Sequence, residues 1–133
     1  MSMTSGIFDN VKTIAVVGLS DDPTRPSNDV ATYLKEQGFV IIPINPKLQS
    51  VLGLKAYPDL LSVPKDIKID VVDIFRRSEH VFPHVEEAVE RGDVNTIWLQ
   101  EGIENKEAED YAREKGLNVI SNFCIMKTHK KLT

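Results

Sequence analysis

One cysteine, Cys124, stands in 133 residues, so no disulfide can join two parts of a single chain and a reducing compartment is expected. Long apolar runs are missing as well. None approaches the roughly 20 residues that cross a bilayer, and the N-terminal stretch lacks the charged-then-apolar order of a secretory leader. A cytoplasmic protein with no membrane partner is expected. Positive charge is in deficit: 16 Lys and Arg against 20 Asp and Glu leave a net charge of -4. That balance argues against general nucleic-acid binding, so any anionic ligand must be held by local groups. Catalytic sets are absent too, with no Ser-His-Asp arrangement, lysine nucleophile or carboxylate pair defensible from spacing. His80 and His84 lie four apart, half of a zinc site, but no second pair or nearby cysteine completes it, and no metal is expected. The adjacent Asp21 and Asp22 read as a solvated loop.

Two patterns alternate along the chain. Near-continuous apolar runs rich in β-branched residues occupy 13–17, 39–44, 69–75, 96–99 and 117–120. Such runs suit strands covered on both faces of a parallel sheet. Helix-period segments lie between them. Val30, Tyr33 and Leu34 form one stripe, closed by Gly38, and Val81, Val85, Ala88 and Val89 form another, entered at Ser78 and closed by Gly92. Pro83 is tolerable there only in a first turn or as a kink. A third helix runs over about 105–115, with Asn105 as its N-cap and Ala108, Tyr111 and Ala112 inward. The stretch 46–64 is punctuated by Gly53, Pro58 and Pro64, leaving room for a short strand near Ala56 and one helical turn near Leu60. The basic residues after Glu114, among them Lys127, Lys130 and Lys131, read as a solvated tail. The order of elements predicts a single α/β domain: a Rossmann-like, doubly wound sheet of about five parallel strands with helices on both faces, core about 10–126.

Ligands of such sheets bind beyond the carboxyl ends of the strands. After the first strand comes Gly18-Leu19-Ser20, which departs from the dinucleotide fingerprint G-x-G-x-x-G by lacking its second and third glycines. The loop then offers Thr24, Arg25, Pro26, Ser27 and Asn28 at a helix start, where free amides and the helix dipole favour a phosphate. Ser27 or Asn28 is equally a simple helix cap. After the second strand, Asn45-Pro46-Lys47 stands where NAD-binding domains carry a ribose-gripping acid. Lysine in place of the acid points to a nucleotide with an extra phosphate near its ribose, such as NADP or coenzyme A. Phe75-Arg76-Arg77 follows the central strand, able to stack on a base or contact pyrophosphate. Cys124 follows the last strand and either faces the cleft or is a buried structural thiol.

Together, Val16-Val17-Gly18-Leu19-Ser20, Pro23-Thr24-Arg25-Pro26-Ser27, Ile44-Asn45-Pro46-Lys47, Val72-Asp73-Ile74-Phe75-Arg76-Arg77, Trp98-Leu99-Gln100-Glu101-Gly102 and Asn122-Phe123-Cys124 resemble the single-domain CoA-binding proteins over about 10–130. That family is similar to the CoA-binding domain of the succinyl-CoA synthetase α subunit. The resemblance implies that Gly18, Leu19, Ser20, Arg25, Pro26 and Ser27 hold CoA phosphates and that Asn45, Pro46 and Lys47 meet the adenine and ribose. It further implies that Phe75, Arg76, Leu99, Gln100 and Glu101 line the nucleotide and pantetheine path. No counterpart of the synthetases' phosphorylated histidine is present, and His129 is in no matching motif. The expectation is therefore a non-catalytic carrier, sensor or regulatory module for coenzyme A or a short acyl-CoA. The alternative is an NADP-dependent or acyl-CoA-transforming enzyme subunit completed by a partner. A second copy or another protein is open as partner.

Overall fold

The computed structural model describes residues 6–133. Residues 1–5, on which the expectation of no leader partly rests, lie outside them. In chain order the elements are β1 (Thr13–Val17), α1 (Pro26–Glu36), β2 (Val40–Ile44), β3 (Ser50–Val51), β4 (Leu54–Lys55), β5 (Val71–Ile74), α2 (Val81–Arg91), β6 (Thr96–Leu99), α3 (Lys106–Glu114), β7 (Asn118–Ile120) and α4 (Ile125–Leu132). Five of the strands form one parallel sheet in the order β2-β1-β5-β6-β7. The expected α/β, doubly wound sheet is thus the observed one. Its strand order reverses between β1 and β5, which makes their carboxyl ends the crevice of the fold.

The apolar runs are continuous because both faces are covered. Ala15, Val17, Val72, Ile74, Ile97 and Leu99 pack toward α2 and α3, while Ile14, Val16, Val71 and Trp98 pack toward α1 and α4. Each Val, Ile or Leu among them, sealed from water, contributes roughly 1.5–3 kcal/mol. Trp98 turns its indole N–H to the Phe123 carbonyl at 2.9 Å, so its burial leaves no donor unpaired. Asp73 is different. It lies in the same row as Val16 and Trp98, fully buried, and neither carboxylate oxygen has a partner among the described residues. Burial pushes its carboxyl well above the usual carboxylate range.

The helices follow their signals with two corrections. Asn105 caps α3 as expected, its side chain accepting from the Ala108 amide at 2.9 Å while Glu109 accepts from the Asn105 amide at 2.8 Å. Pro83 sits in the first turn of α2, where the missing N–H costs nothing. Helix α1, however, begins at Pro26, so neither Ser27 nor Asn28 is its cap; Arg25 holds that position and makes no side-chain capping bond. The basic tail is also more than solvated chain. It folds as α4, whose Ile125, Thr128 and His129 are buried while its lysines stay in water. His129 Nδ1 meets the Tyr33 hydroxyl of α1 at 2.7 Å, with Phe8 and Phe39 edge-on to its ring.

The irregular crossover holds a two-residue hairpin, with Leu52 and Gly53 both at positive φ between β3 and β4. A bend rather than a helical turn lies at Leu60. The Arg91 side chain, 1% exposed, fixes the second half of this crossover. Its guanidinium donates to the carbonyls of Leu60, Val63 and Ile67 and to both oxygens of Asp93, at 2.7–3.1 Å. All five guanidinium donors are thereby engaged.

Candidate functional site

The crevice is built outward from Gly18. Its amide donates to the Ile44 carbonyl at 2.9 Å, and the Phe75 amide donates to the Val17 carbonyl at 2.9 Å, so the end of β1 is tied to both neighbours. Gly18 has φ +84°, and a Cβ there would sit 2.4 Å from the Phe75 carbonyl oxygen. Only glycine lets the chain turn this close to the end of β5.

The loop beyond it is internally braced. The Ser27 hydroxyl accepts from the Ser20 amide at 3.0 Å, and the Asn28 side chain donates to the Ser20 carbonyl at 2.8 Å. Asp22 accepts from the Thr24 amide and hydroxyl, bonds that hold its carboxyl below the usual carboxylate value. Ser27 and Asn28, at the buried start of α1, therefore shape the loop rather than cap the helix. The Ser27 amide has no protein acceptor among the described residues. On the opposite side, Asn45 donates to the Leu19 carbonyl at 3.0 Å and accepts from the Lys47 amide at 2.9 Å. It clamps the end of β2 to the first loop and positions Lys47.

Three hollows meet at Phe75. One, of about 350 Å³, is lined by Gly18, Ser20, Arg25, Pro26, Ser27 and Phe75. A second, of about 330 Å³, shares Gly18 and Phe75 and extends to Asn45, Pro46, Lys47, Arg76 and His84. The third, of about 710 Å³, shares Pro26 and Phe75 and runs between α1 and α4 past Val30, Gln100 and Cys124. Their shared walls make one elongated groove across the carboxyl ends of β2, β1, β5 and β6. Arg25, Lys47 and Arg76 border it, and none of the three makes a salt bridge among the described residues. Another hollow, of about 720 Å³, opens at the opposite end of the sheet beside Asp70, Thr96 and Asn118. It lies away from the crevice, and Asp70 is already occupied by the Lys12 and Thr13 amides.

Most of the expected site residues border this groove. Leu19 and Leu99 do not: both side chains are sealed in the core, and Leu19 takes part only through its carbonyl. The Gln100 side-chain oxygen accepts from the Ile125 amide at the start of α4, and Glu101 bridges to Lys127 at 3.0 Å, so this pair also anchors α4. The sequence reading missed His84 as a lining residue, because its spacing from His80 invited only a metal comparison. From the sequence alone, Cys124 is open between facing the cleft and being a buried structural thiol. Cys124 is nearly buried, 9% exposed, and it lines the third hollow. Among the described residues no group of three or more His, Cys, Asp or Glu side chains could hold a metal ion.

The family model described as "CoA binding domain" matches residues 12–130. The chain belongs to this CoA-binding domain family. It is 42% identical to the uncharacterized protein YneT of Bacillus subtilis, over 92% of this chain and 89% of that protein. It is 29% identical to the α subunit of an ADP-forming acetate–CoA ligase II from Pyrococcus furiosus, over 94% of this chain. The CoA-binding domain described here spans only 30% of that ligase subunit. Among solved structures, a hypothetical protein from Pyrococcus horikoshii superposes with a TM-score of 0.92 at 40% identity, covering 97% of this chain and 89% of that one. A dinucleotide-forming acetyl-coenzyme A synthetase from Candidatus Korarchaeum cryptofilum, in complex with phosphate and ADP, superposes with a TM-score of 0.75 at 28% identity. This domain is 92% covered in that match and corresponds to 28% of the synthetase. No helix among the described residues is long and apolar enough to cross a membrane.

Proposed function

We propose that this protein binds coenzyme A, or a short acyl-CoA, along the Phe75 groove as a carrier, sensor or regulatory module. The observation that carries the reading is the continuity of the three hollows at Phe75, beside three cations that make no salt bridge among the described residues. CoA is long and chemically divided, with a phosphorylated nucleoside, a pyrophosphate and an uncharged pantetheine arm. Lys47 and Arg76 suit the nucleotide end. Arg25 and the Ser27 amide suit the pyrophosphate, since a helix start and a guanidinium both favour an anion. The apolar side chains of Val30, Ile103 and Met126 suit the arm. Membership of the CoA-binding domain family supports the same ligand.

Calorimetric titration of the purified chain with CoA, acetyl-CoA, NADP and NAD tests the proposal. CoA and acetyl-CoA are expected to bind and NAD to bind poorly, since no acid stands at Asn45-Pro46-Lys47 to grip its ribose. Preferential binding of NADP, or silence with CoA, would sink it. A second reading, a subunit completed by a catalytic partner, is favoured by the similarity to ligase chains of more than three times this length. Turnover of acyl-CoA by a co-purified complex, and none by the isolated chain, would establish that reading.

A further inference from the structure

His84 stands at the nucleotide end of the groove with no role so far. It projects from the first turns of α2 into the hollow that Lys47, Arg76, Asn45 and Pro46 also line. Its Nδ1 is sealed from solvent and has no hydrogen-bond partner among the described residues. No acceptor faces Nδ1 among the described residues, so a proton placed there makes no hydrogen bond. The proton of the neutral ring then belongs on Nε2, the ring's other polar atom.

We propose that His84 donates from Nε2 to the phosphate monoester on the ribose of the bound nucleotide, as the third member of a cluster with Lys47 and Arg76. The inference rests on the CoA reading above and deepens it. Two cations and the Asn45 side chain already border this hollow, whereas Val17, Ile44, Pro46, Pro58 and Phe75 give it apolar walls. That combination suits a base and sugar carrying their own anionic group better than an uncharged ribose. Burial, Arg76 and His80 together hold the free imidazole below its ordinary pKa. The carboxylates on the flanking segments are turned elsewhere: Glu87 of α2 accepts from the Leu60 amide and Asp59 from the Ser62 amide and hydroxyl. With no carboxylate engaging it among the described residues, the imidazole has its natural counter-group in a phosphate brought by the ligand.

The test compares CoA with dephospho-CoA, which lacks only the ribose-borne phosphate, by calorimetry on the unaltered chain, on His84→Ala and on His84→Gln. Loss of a hydrogen bond to a charged group is expected to weaken CoA about tenfold in His84→Ala. Dephospho-CoA affinity should barely change, and His84→Gln, which keeps a donor, should recover part of the loss. The ring pKa of His84, followed by NMR with His80 and His129 as internal references, should rise on binding CoA and rise less with dephospho-CoA. Equal weakening of both ligands in His84→Ala, or a ring pKa indifferent to the phosphate, overturns the role of His84 while leaving CoA binding intact. Silence of CoA with the unaltered chain overturns this inference and the parent reading together.

Discussion

Two residues concentrate the local physics of this chain. At Gly18 the constraint is steric and conformational at once, since φ is +84° and a Cβ would lie 2.4 Å from a backbone oxygen that cannot swing aside. Gly18→Ala is therefore expected to cost roughly 1–3 kcal/mol for the left-handed backbone alone, with the contact to Phe75 adding to it. Chemical denaturation would measure the loss, and an unchanged midpoint would contradict the close approach. Asp73 presents the opposite case, a polar group without a partner. Its folded-state pKa is raised, so above the unfolded value of 3.8 the folded state retains a proton that the unfolded chain has released. The stability this proton confers is complete below that value and is lost as pH rises. Asp73→Asn keeps the shape and removes the titration. It should be close to the unaltered chain near pH 4 and gain on it steadily as pH rises toward 7. Urea unfolding at both values decides it, and parallel pH profiles would refute it.

Helix α4 shows what periodicity conceals at the level of an element. Its buried face is Ile125, Thr128 and His129, two of which are ordinarily polar, and lysines fill the gaps. No apolar stripe stands out from the sequence, so the segment reads as tail. The strands and the first three helices were legible because their inward positions are occupied by Val, Ile, Leu and Ala. The β3–β4 hairpin was too short for any period to develop. What secures α4 is partly a hydrogen bond, Tyr33 to His129, among aromatic rings. Burial lowers the His129 pKa below its ordinary value of 6.5. In the acid range the unfolded state then binds more protons, so this contribution is present above about pH 6.5 and is lost as pH falls. Tyr33→Phe should cost about 1 kcal/mol and raise amide exchange in α4. Exchange at pH 7.5 and 5.5 should show α4 opening first on acidification; uniform protection across the helix at both values would count against the clasp.

For the molecule as a whole, the fold set the place of the groove and the groove set the order of its parts. The strand-end loops could be read from the chain because each follows a buried apolar run. Side-chain direction could not, so Leu19 in the first loop and Leu99 at the end of β6, both turned into the core, read like their groove-lining neighbours, and His84, four residues into a helix, does not stand out. The same geometry yields a test that no single side chain can supply. If CoA lies across all three hollows, adenosine 3′,5′-bisphosphate engages only the nucleotide end and pantetheine only the arm. Joining the two makes the second contact intramolecular, so CoA should bind far more tightly than either fragment, by on the order of a hundredfold or more. At a CoA concentration 100 times its Kd, linkage stabilises the folded state by about 2.7 kcal/mol. For a chain of this size that corresponds to a rise in Tm of about 10 °C. Each fragment at the same concentration should raise Tm by much less. Should the bisphosphate alone match CoA in affinity, the hollow between α1 and α4 contributes nothing to binding, and the site ends at Phe75.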